Sequence, residues 1–392
     1  MSGHVSGAGP SRRQVLRGGG YAAGLALGGG LLTAGCQPPK GAVGEAVAAE
    51  PRPSYYPGDY DRMVRASKAE RELTIYSNMD TYNWKPIVDG FQKHYPWVDN
   101  IATTNLGSSQ VFERYNAEEA ANQQKASLLV SGSPQNWLDF VSGRKLLDYA
   151  SPELPHLPSF ARPRPGLYTF STDCIVMVYN KVLLGEHERP DSLAGLITLV
   201  RSQPKRFKNK ITTYSAGMSF GLAIHDTYVR TRQRQGRDAW ATYDALLPFT
   251  RAEESSGPML DKVASGEYLI AYFASSTIVF PQMAQVGEVV TWKFVADGTP
   301  LFLRGMGVPA KSPHKNTGKL MLDYILSHEG QSNVSRGGFT AYRPDVPADA
   351  GHPTYTSVTK QVGKDNVMLI GYDFGTQKEQ DAFVKQWEGR LG

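Results

Sequence analysis

The chain has 392 residues, with 42 Lys plus Arg against 37 Asp plus Glu and only two cysteines. That length suits two domains of ordinary size, and two cysteines exclude a disulfide framework. The net charge of +5 is not gathered into any dense Lys/Arg patch, so nucleic acid is no expected partner. The eight histidines are scattered and no His-Glu-x-x-His occurs, which argues against a structural zinc site.

Ser11-Arg12-Arg13-Gln14-Val15-Leu16-Arg17 leads into a weakly apolar, glycine-rich run that ends at Leu32-Thr33-Ala34-Gly35-Cys36. A paired arginine, a soft apolar stretch and small residues before a cleavage point make a secretory signal of the twin-arginine kind, with Val15 where phenylalanine is commoner. Gly18, Gly19, Gly20, Gly28 and Gly29 make a poor helix, and the run falls short of the roughly 20 residues a membrane span needs. Leu32 to Cys36 resembles a bacterial lipobox, which implies cleavage before Cys36 and a lipid on its thiol. The expected signal is 1–35. Its removal takes away three of the 42 basic residues and no acid, leaving 39 against 37. Cys174 then has no partner and, inside the apolar run Cys174-Ile175-Val176-Met177-Val178, reads as a small core residue.

Residues 36–70 are rich in Pro, Ala and Gly and read as a tether that cannot bury a core, although Tyr55-Tyr56-Pro57-Gly58-Asp59-Tyr60 offers local packing. Folding is expected to begin at the β-rich Leu73-Thr74-Ile75-Tyr76, followed by a helix from Trp84 to His94 and a strand from Val98 to Thr104. A helix from Gln110 to Gln124 and a strand from Ser127 to Val130 come next. Pro152, Pro155, Pro158, Pro163 and Pro165 then interrupt any regular element and predict a surface segment. Tyr168 to Tyr179 is a long strand, and Lys210 to Thr213 a short one before a helix through Tyr228. Further on the pattern predicts helix Met259 to Ala264, strands Leu269 to Phe273 and Thr291 to Val295, and helices Asn316 to Ser327 and Lys378 to Leu391. Strands alternating with helices at this spacing predict an α/β fold with a largely parallel sheet.

The strands end in small or hydroxylated residues: Ser77-Asn78, Gly107-Ser108-Ser109, Ser131-Gly132-Ser133, Ser215-Ala216-Gly217 and Ala274-Ser275-Ser276. In open parallel sheets a ligand sits beyond the carboxyl ends of the strands. Backbone N–H groups and hydroxyls at helix N-termini there suit anions; the same residue types also serve as ordinary N-caps.

From Leu73 to Leu391 the chain resembles the solute-binding lipoproteins of ABC importers, in the broad group that includes ferric-iron binders. The pieces that carry the resemblance are Leu73-Thr74-Ile75-Tyr76-Ser77-Asn78, Val178-Tyr179-Asn180-Lys181, Gly266-Glu267 with the strand to Phe273, Asp323 to Gln331, and Ala341-Tyr342-Arg343-Pro344-Asp345-Val346. The resemblance implies a two-lobed periplasmic-binding-protein fold of type II with the ligand in the interlobe cleft. It places one lobe at 71–165 plus 296–345, the other at 166–295, and C-terminal helices over 346–392. Expected cleft contacts are Ser77, Asn78, Asp80, Ser108, Ser109, Ser131 and Ser133 from the first lobe, with Thr172, Thr213, Ser215, Ser275 and Ser276 from the second. It also implies an exported, monomeric, non-enzymatic binder without cofactor or metal, whose partners are a small solute, a membrane permease and, through Cys36, the bilayer. The solute expected is a small organic anion: a carboxylate, phosphonate or phosphate ester. Arg304 and Arg343 are candidates for a bidentate cation, though both also suit structural roles.

Three rival readings remain. In the ferric branch a histidine or acid follows the first strand and two adjacent tyrosines follow the strand after Gly-Glu. Here Asp80 falls near the first position, but the pair falls at Ser276-Thr277, and neutral hydroxyls are poor ligands for Fe³⁺. Tyr268 and Tyr272 lie near without being adjacent. Gly217-Met218-Ser219-Phe220-Gly221 matches the nucleophile elbow of serine hydrolases, with His314, His328 and His352 downstream. A purely structural envelope lipoprotein is the third.

Overall fold

The computed structural model describes residues 53–349 and 351–392. Its strands are β1 Glu72–Ser77, β2 Asn100–Asn105, β3 Leu128–Ser131, β4 Tyr168–Asn180, β5 Ile211–Tyr214, β6 Thr250–Glu253, β7 Ile270–Ser275, β8 Val290–Phe294, β9 Thr299–Gly307 and β10 Val367–Ile370. β1 shows how the sequence writes these elements. Its side chains alternate between faces, so Leu73 and Ile75 enter one apolar cluster and Tyr76 another.

β1 lies parallel to β2 and β3, with Ile75 opposite both Thr103 and Leu128. β5 lies parallel to β6 and β7. Two long strands cross between these sets. β4 pairs antiparallel with β9 from Tyr168 to Cys174, then with β7 and β8 beyond it. β9 pairs with β10 at Thr299–Phe302 and with β3 at Gly305–Gly307. The sheet path is therefore β2-β1-β3-β9-β4-β7-β5-β6. The expectation of a largely parallel sheet is corrected to a mixed one, because β4 runs against β7, β8 and β9, and β9 runs against β3 while lying parallel to β10.

Burial follows the crossing. All thirteen residues of β4 and all nine of β9 are buried. Cys174, Ile211, Ile270 and Phe273 belong to one core, which also takes Val358, Met368, Phe383 and Trp387 from the C-terminal segment. At the other end lies the first core, in which the first three strands are sandwiched; the core around Cys174 is the second along the chain. Helices Thr81–His94 and Lys315–Leu326 cover one face, and Gln110–Ala120 with Pro134–Ser142 cover the other.

Two expectations fail for identifiable reasons. The tether was placed as far as residue 70, yet Tyr60–Glu70 is a helix whose Tyr60 and Met63 are buried in the first core. The proline-rich segment from Ser151 to Pro165 is not simply surface. Glu153 within it is fully buried, because the Arg343 guanidinium donates to its carboxylate at 2.5 Å and Tyr56 donates to the other oxygen. Cys36 and the signal 1–35 lie outside the described residues. Among the described residues, no helix is long and apolar enough to cross a membrane.

Candidate functional site

Where β4 and β9 cross, a charge is held in place. The Arg304 guanidinium on β9 donates to Asp173 Oδ2 on β4 through Nε at 2.9 Å and Nη2 at 2.8 Å. Ser171 donates to the other oxygen of Asp173 at 2.6 Å. The remaining arm, Nη1, donates to Asn78 Oδ1 just past β1 at 2.7 Å. Asn78 in turn donates from Nδ2 to Ser108 Oγ at 2.9 Å, and its Oδ1 also accepts the Gly132 N–H at 3.3 Å. The Phe339 ring lies beside the guanidinium, 5.1 Å from its centroid. Three strand ends are thus tied to one buried ion pair, whose net charge is zero. A Cβ at Gly132 would make ordinary contact, 3.4 Å from Phe302 and 3.6 Å from Arg304, so this close approach does not itself demand glycine.

The facing rim comes from the other core. After β5, Ser215 Oγ accepts the Gly217 N–H at 3.1 Å. Phe220, in the first turn of helix Ser219–Arg234, packs its ring 4.9 Å from that of Phe302. At the end of β7, the Ser275 N–H donates to Ser256 Oγ at 2.8 Å, and the Ser275 and Thr277 hydroxyls bond at 2.9 Å. Phe273 holds φ 63°, a left-handed backbone costly for a bulky side chain, beside a register shift opposite Val176 and Val178. That kink sets the direction in which Ser275 and Ser276 leave the strand.

Five helices start at these strand ends: Thr81–His94, Gln110–Ala120, Pro134–Ser142, Ser219–Arg234 and Ser276–Val286. Each start carries unpaired N–H groups and about half a positive charge. With Arg304 neutralised by Asp173, these dipoles, the hydroxyls and the exposed Asp80 carboxylate are what the rims offer a ligand.

The twelve expected contact residues divide by burial. Asn78, Ser108, Ser133 and Ser215 are half-buried, and Asp80 and Ser109 are exposed. Asp80 caps helix Thr81–His94 and accepts a hydrogen bond from Asn105. Ser133 donates to Asn136. Ser77, Ser131, Thr172, Thr213 and Ser276 are fully buried, and Ser275 nearly so. Ser77 donates to Thr104 O and accepts from Trp84 Nε1, Ser131 donates to Ser108 O, and Thr172 donates to Thr340 O. The Ser276 hydroxyl has no partner, and the Thr213 hydroxyl has only the Tyr272 phenol beside it, without well-formed hydrogen-bond geometry. Asp173, Gly132, Phe302 and Phe339 were missed. An acid inside the run Thr172-Asp173-Cys174-Ile175 was the available signal, since a buried carboxylate demands a cation.

The rival motifs fare differently. Tyr268 donates to Glu253 at 2.6 Å, and burial with that carboxylate pushes its phenol up to about 12. Tyr272 is fully buried and its phenol is likewise raised, by desolvation. Both phenols are turned away from the rims, Tyr268 onto Glu253 and Tyr272 into the second core, and the described residues contain no cluster of three His, Cys, Asp or Glu that could hold a metal ion. Ser219 is the first residue of a helix rather than the strained turn of an elbow, and it lacks positive φ. His314 faces Glu72 at 3.8 Å, His328 bonds Asp345 O at 3.2 Å, and His352 bonds Asp349 at 2.6 Å.

No protein-family model matches the chain. No curated protein matches it either. Solved structures do. The substrate-binding protein of an ABC transporter from Agrobacterium tumefaciens superposes with TM-score 0.67 at 19% identity, over 83% of this chain and 96% of that one. Iron-bound HitA from Pseudomonas aeruginosa gives 0.61 at 16%, over 81% and 99%. AfuA from Actinobacillus pleuropneumoniae, with fructose-6-phosphate bound, gives 0.59 at 18%, over 82% and 98%. The fold is that of the two-lobed periplasmic binding proteins.

Proposed function

We propose that this protein is the solute-binding component of an ABC importer and that its ligand is a small organic anion, a carboxylate, phosphonate or phosphate ester. One observation carries the reading: five helices begin directly after strand ends of the two cores, and the buried cation between those cores, Arg304, is already neutralised by Asp173, so helix dipoles are left to attract a negative solute. The similarity of fold to AfuA, solved with a sugar phosphate, supports the same class. The protein works as a monomer without cofactor or catalysis. It is exported by the 1–35 signal and anchored by a lipid on Cys36, and its lobes follow the boundaries 71–165 with 296–345, and 166–295. It passes its solute to a membrane permease.

Thermal-shift screening tests the reading. A carboxylate, phosphonate or phosphate ester should stabilise the protein by RT ln(1 + [L]/Kd), about 2.7 kcal/mol at a hundredfold excess over Kd. Ferric citrate producing the sole shift would transfer it to the iron binders; silence across the panel would leave an envelope structural protein. Ser276→Ala should weaken binding of the identified anion by about 1–3 kcal/mol if closure brings the ligand to its unpartnered hydroxyl. Cys36→Ser should release the protein from the membrane fraction.

A further inference from the structure

The crossing strands have a second face. Side chains alternate along β9, so Leu303 points away from the side on which Phe302 and Arg304 meet Asn78 and Gly132. Behind it lies the largest of the cavities described, about 650 Å³, in the size range of metabolite sites. Its floor is Leu303, Leu369 and Tyr372, and Tyr372 is fixed by donating to Leu303 O at 3.0 Å.

The walls come from both cores. On one side stand Phe160 and Arg164, from the segment before β4 that packs against the first core. On the other stand Arg230 and Arg234, one turn apart on helix Ser219–Arg234, whose Ile224, Tyr228 and Val229 belong to the second core. Three guanidiniums therefore line one cavity, against a single lining carboxylate, Asp373. That acid is 93% exposed and pairs with Arg164 at 2.7 Å. Arg230 uses its Nε on Asp226, and Arg234 bonds only the Thr231 hydroxyl at 3.2 Å. Arg164 and Arg230 each have an acid beside them, Asp373 and Asp226, with Glu379 also within reach of the Arg230 charge, so Arg234 is the guanidinium left to take an anion, with the free arms of the other two flanking it. Guanidinium forks over an apolar floor match an oxyanion on a flat apolar body.

We infer that this groove is a second ligand site, distinct from the cleft, for an aryl phosphate or a closely similar aromatic oxyanion. A guest held by Arg164 and by Arg230 with Arg234 would bridge the two halves behind the crossing strands and bias their closure. The cleft reading supplies only the importance of closure; the site itself stands on the groove.

Hydrogen–deuterium exchange with millimolar phenyl phosphate tests it on the full chain. Protection should appear in peptides covering 160–164, 227–234 and 369–373. The double variant Arg230→Gln/Arg234→Gln should lose affinity by about tenfold or more in calorimetric titration, while its exchange without ligand stays that of the wild type. Protection confined to 78–80, 131–133 and 275–277 would mean the anion enters only the cleft and would overturn the proposal while supporting the cleft. No protection anywhere, or unchanged affinity in the double variant, would overturn it outright.

Discussion

The two cores bury their polar groups in opposite ways. Around the first, charges are taken inside. Glu153 and Arg343 are an ion pair with side chains 0% and 4% exposed, and near enough to feel the Glu153 charge, Asp323 is a fully buried carboxyl raised to about 7, accepting from Tyr60 at 2.9 Å and Tyr149 at 2.6 Å. Around the second, most buried polar groups stay neutral; the exception is Arg232, buried with its guanidinium beside the Tyr228 ring and donating to Gln235 at 2.9 Å. His225 is held between Tyr243 and Tyr214 O, each at 2.8 Å, and desolvation drops it to about 4. Burial likewise pushes the Cys174 thiol up to about 12. A buried ion pair is weak evidence of net stability but fixes geometry strictly. The ionic core is the one that ties down the chain's entry segment at Tyr55, Tyr56 and Tyr60.

The largest test of that contrast is Arg343→Met. It strands Glu153 as an uncompensated buried carboxylate and also strips a donor from Leu326 O, for an expected loss of about 3–5 kcal/mol in urea unfolding. A loss below about 1 kcal/mol would show that water reaches Glu153 and that the first core is not ionic in the sense drawn above. Tyr60→Phe is the milder version. It removes one of the two phenol donors to Asp323 Oδ2, whose companion Oδ1 already has no partner, and should cost about 1–3 kcal/mol. If instead helix Tyr60–Glu70 only brushes the core, the variant will unfold with the wild type.

Titration sharpens the comparison further, because the two halves have opposite signs. Desolvation raises Asp323 from 3.8 to about 7, with Glu153 adding to the rise. Between those values the folded state keeps a proton that the unfolded state has lost, so stability falls as pH climbs. His225 behaves inversely: lowered from 6.5 to about 4, it leaves the unfolded state holding the extra proton, so stability rises over that window. Asp323→Asn should therefore tilt the stability profile upward with pH between about 4 and 7, and His225→Gln should tilt it downward between about 4 and 6.5. One proton sets a ceiling of about 1.4 kcal/mol per pH unit on either tilt. Parallel profiles for the two variants would contradict the assignment.

What the sequence made legible follows the same divide. β1 and β4 announce themselves through β-branched and aromatic runs, and the helices after them through apolar periodicity. β9 was hidden, because Pro300, Arg304, Gly305 and Gly307 break the pattern of a strand that is nonetheless wholly buried. Arg304 and Arg343 could be named as candidate cations, but not as neutralised ones. Their acids, Asp173 and Glu153, lie 131 and 190 residues away in the chain, and pairing at that distance leaves no local trace. The helix Tyr60–Glu70 was masked by the prolines before it. Its anchor is a phenol reaching Asp323, 263 residues further on.

Thr213 provides the smallest and most discriminating substitution. It was expected at the ligand because it stands near the end of β5, yet it is fully buried, and its hydroxyl has for company only the Tyr272 phenol, which Thr250 also approaches, without well-formed hydrogen-bond geometry. Valine keeps the branched shape and removes a poorly paired oxygen while Thr250 stays beside Tyr272, so stability should change by no more than about 1 kcal/mol. Binding of the identified solute then decides what the oxygen is for. Unaltered affinity in Thr213→Val assigns it to the largely neutral second core, as a residue whose polarity that core merely tolerates. A drop of about 1 kcal/mol or more, with stability intact, means that lobe closure draws the end of β5 into the ligand shell and that burial in this conformation conceals a contact.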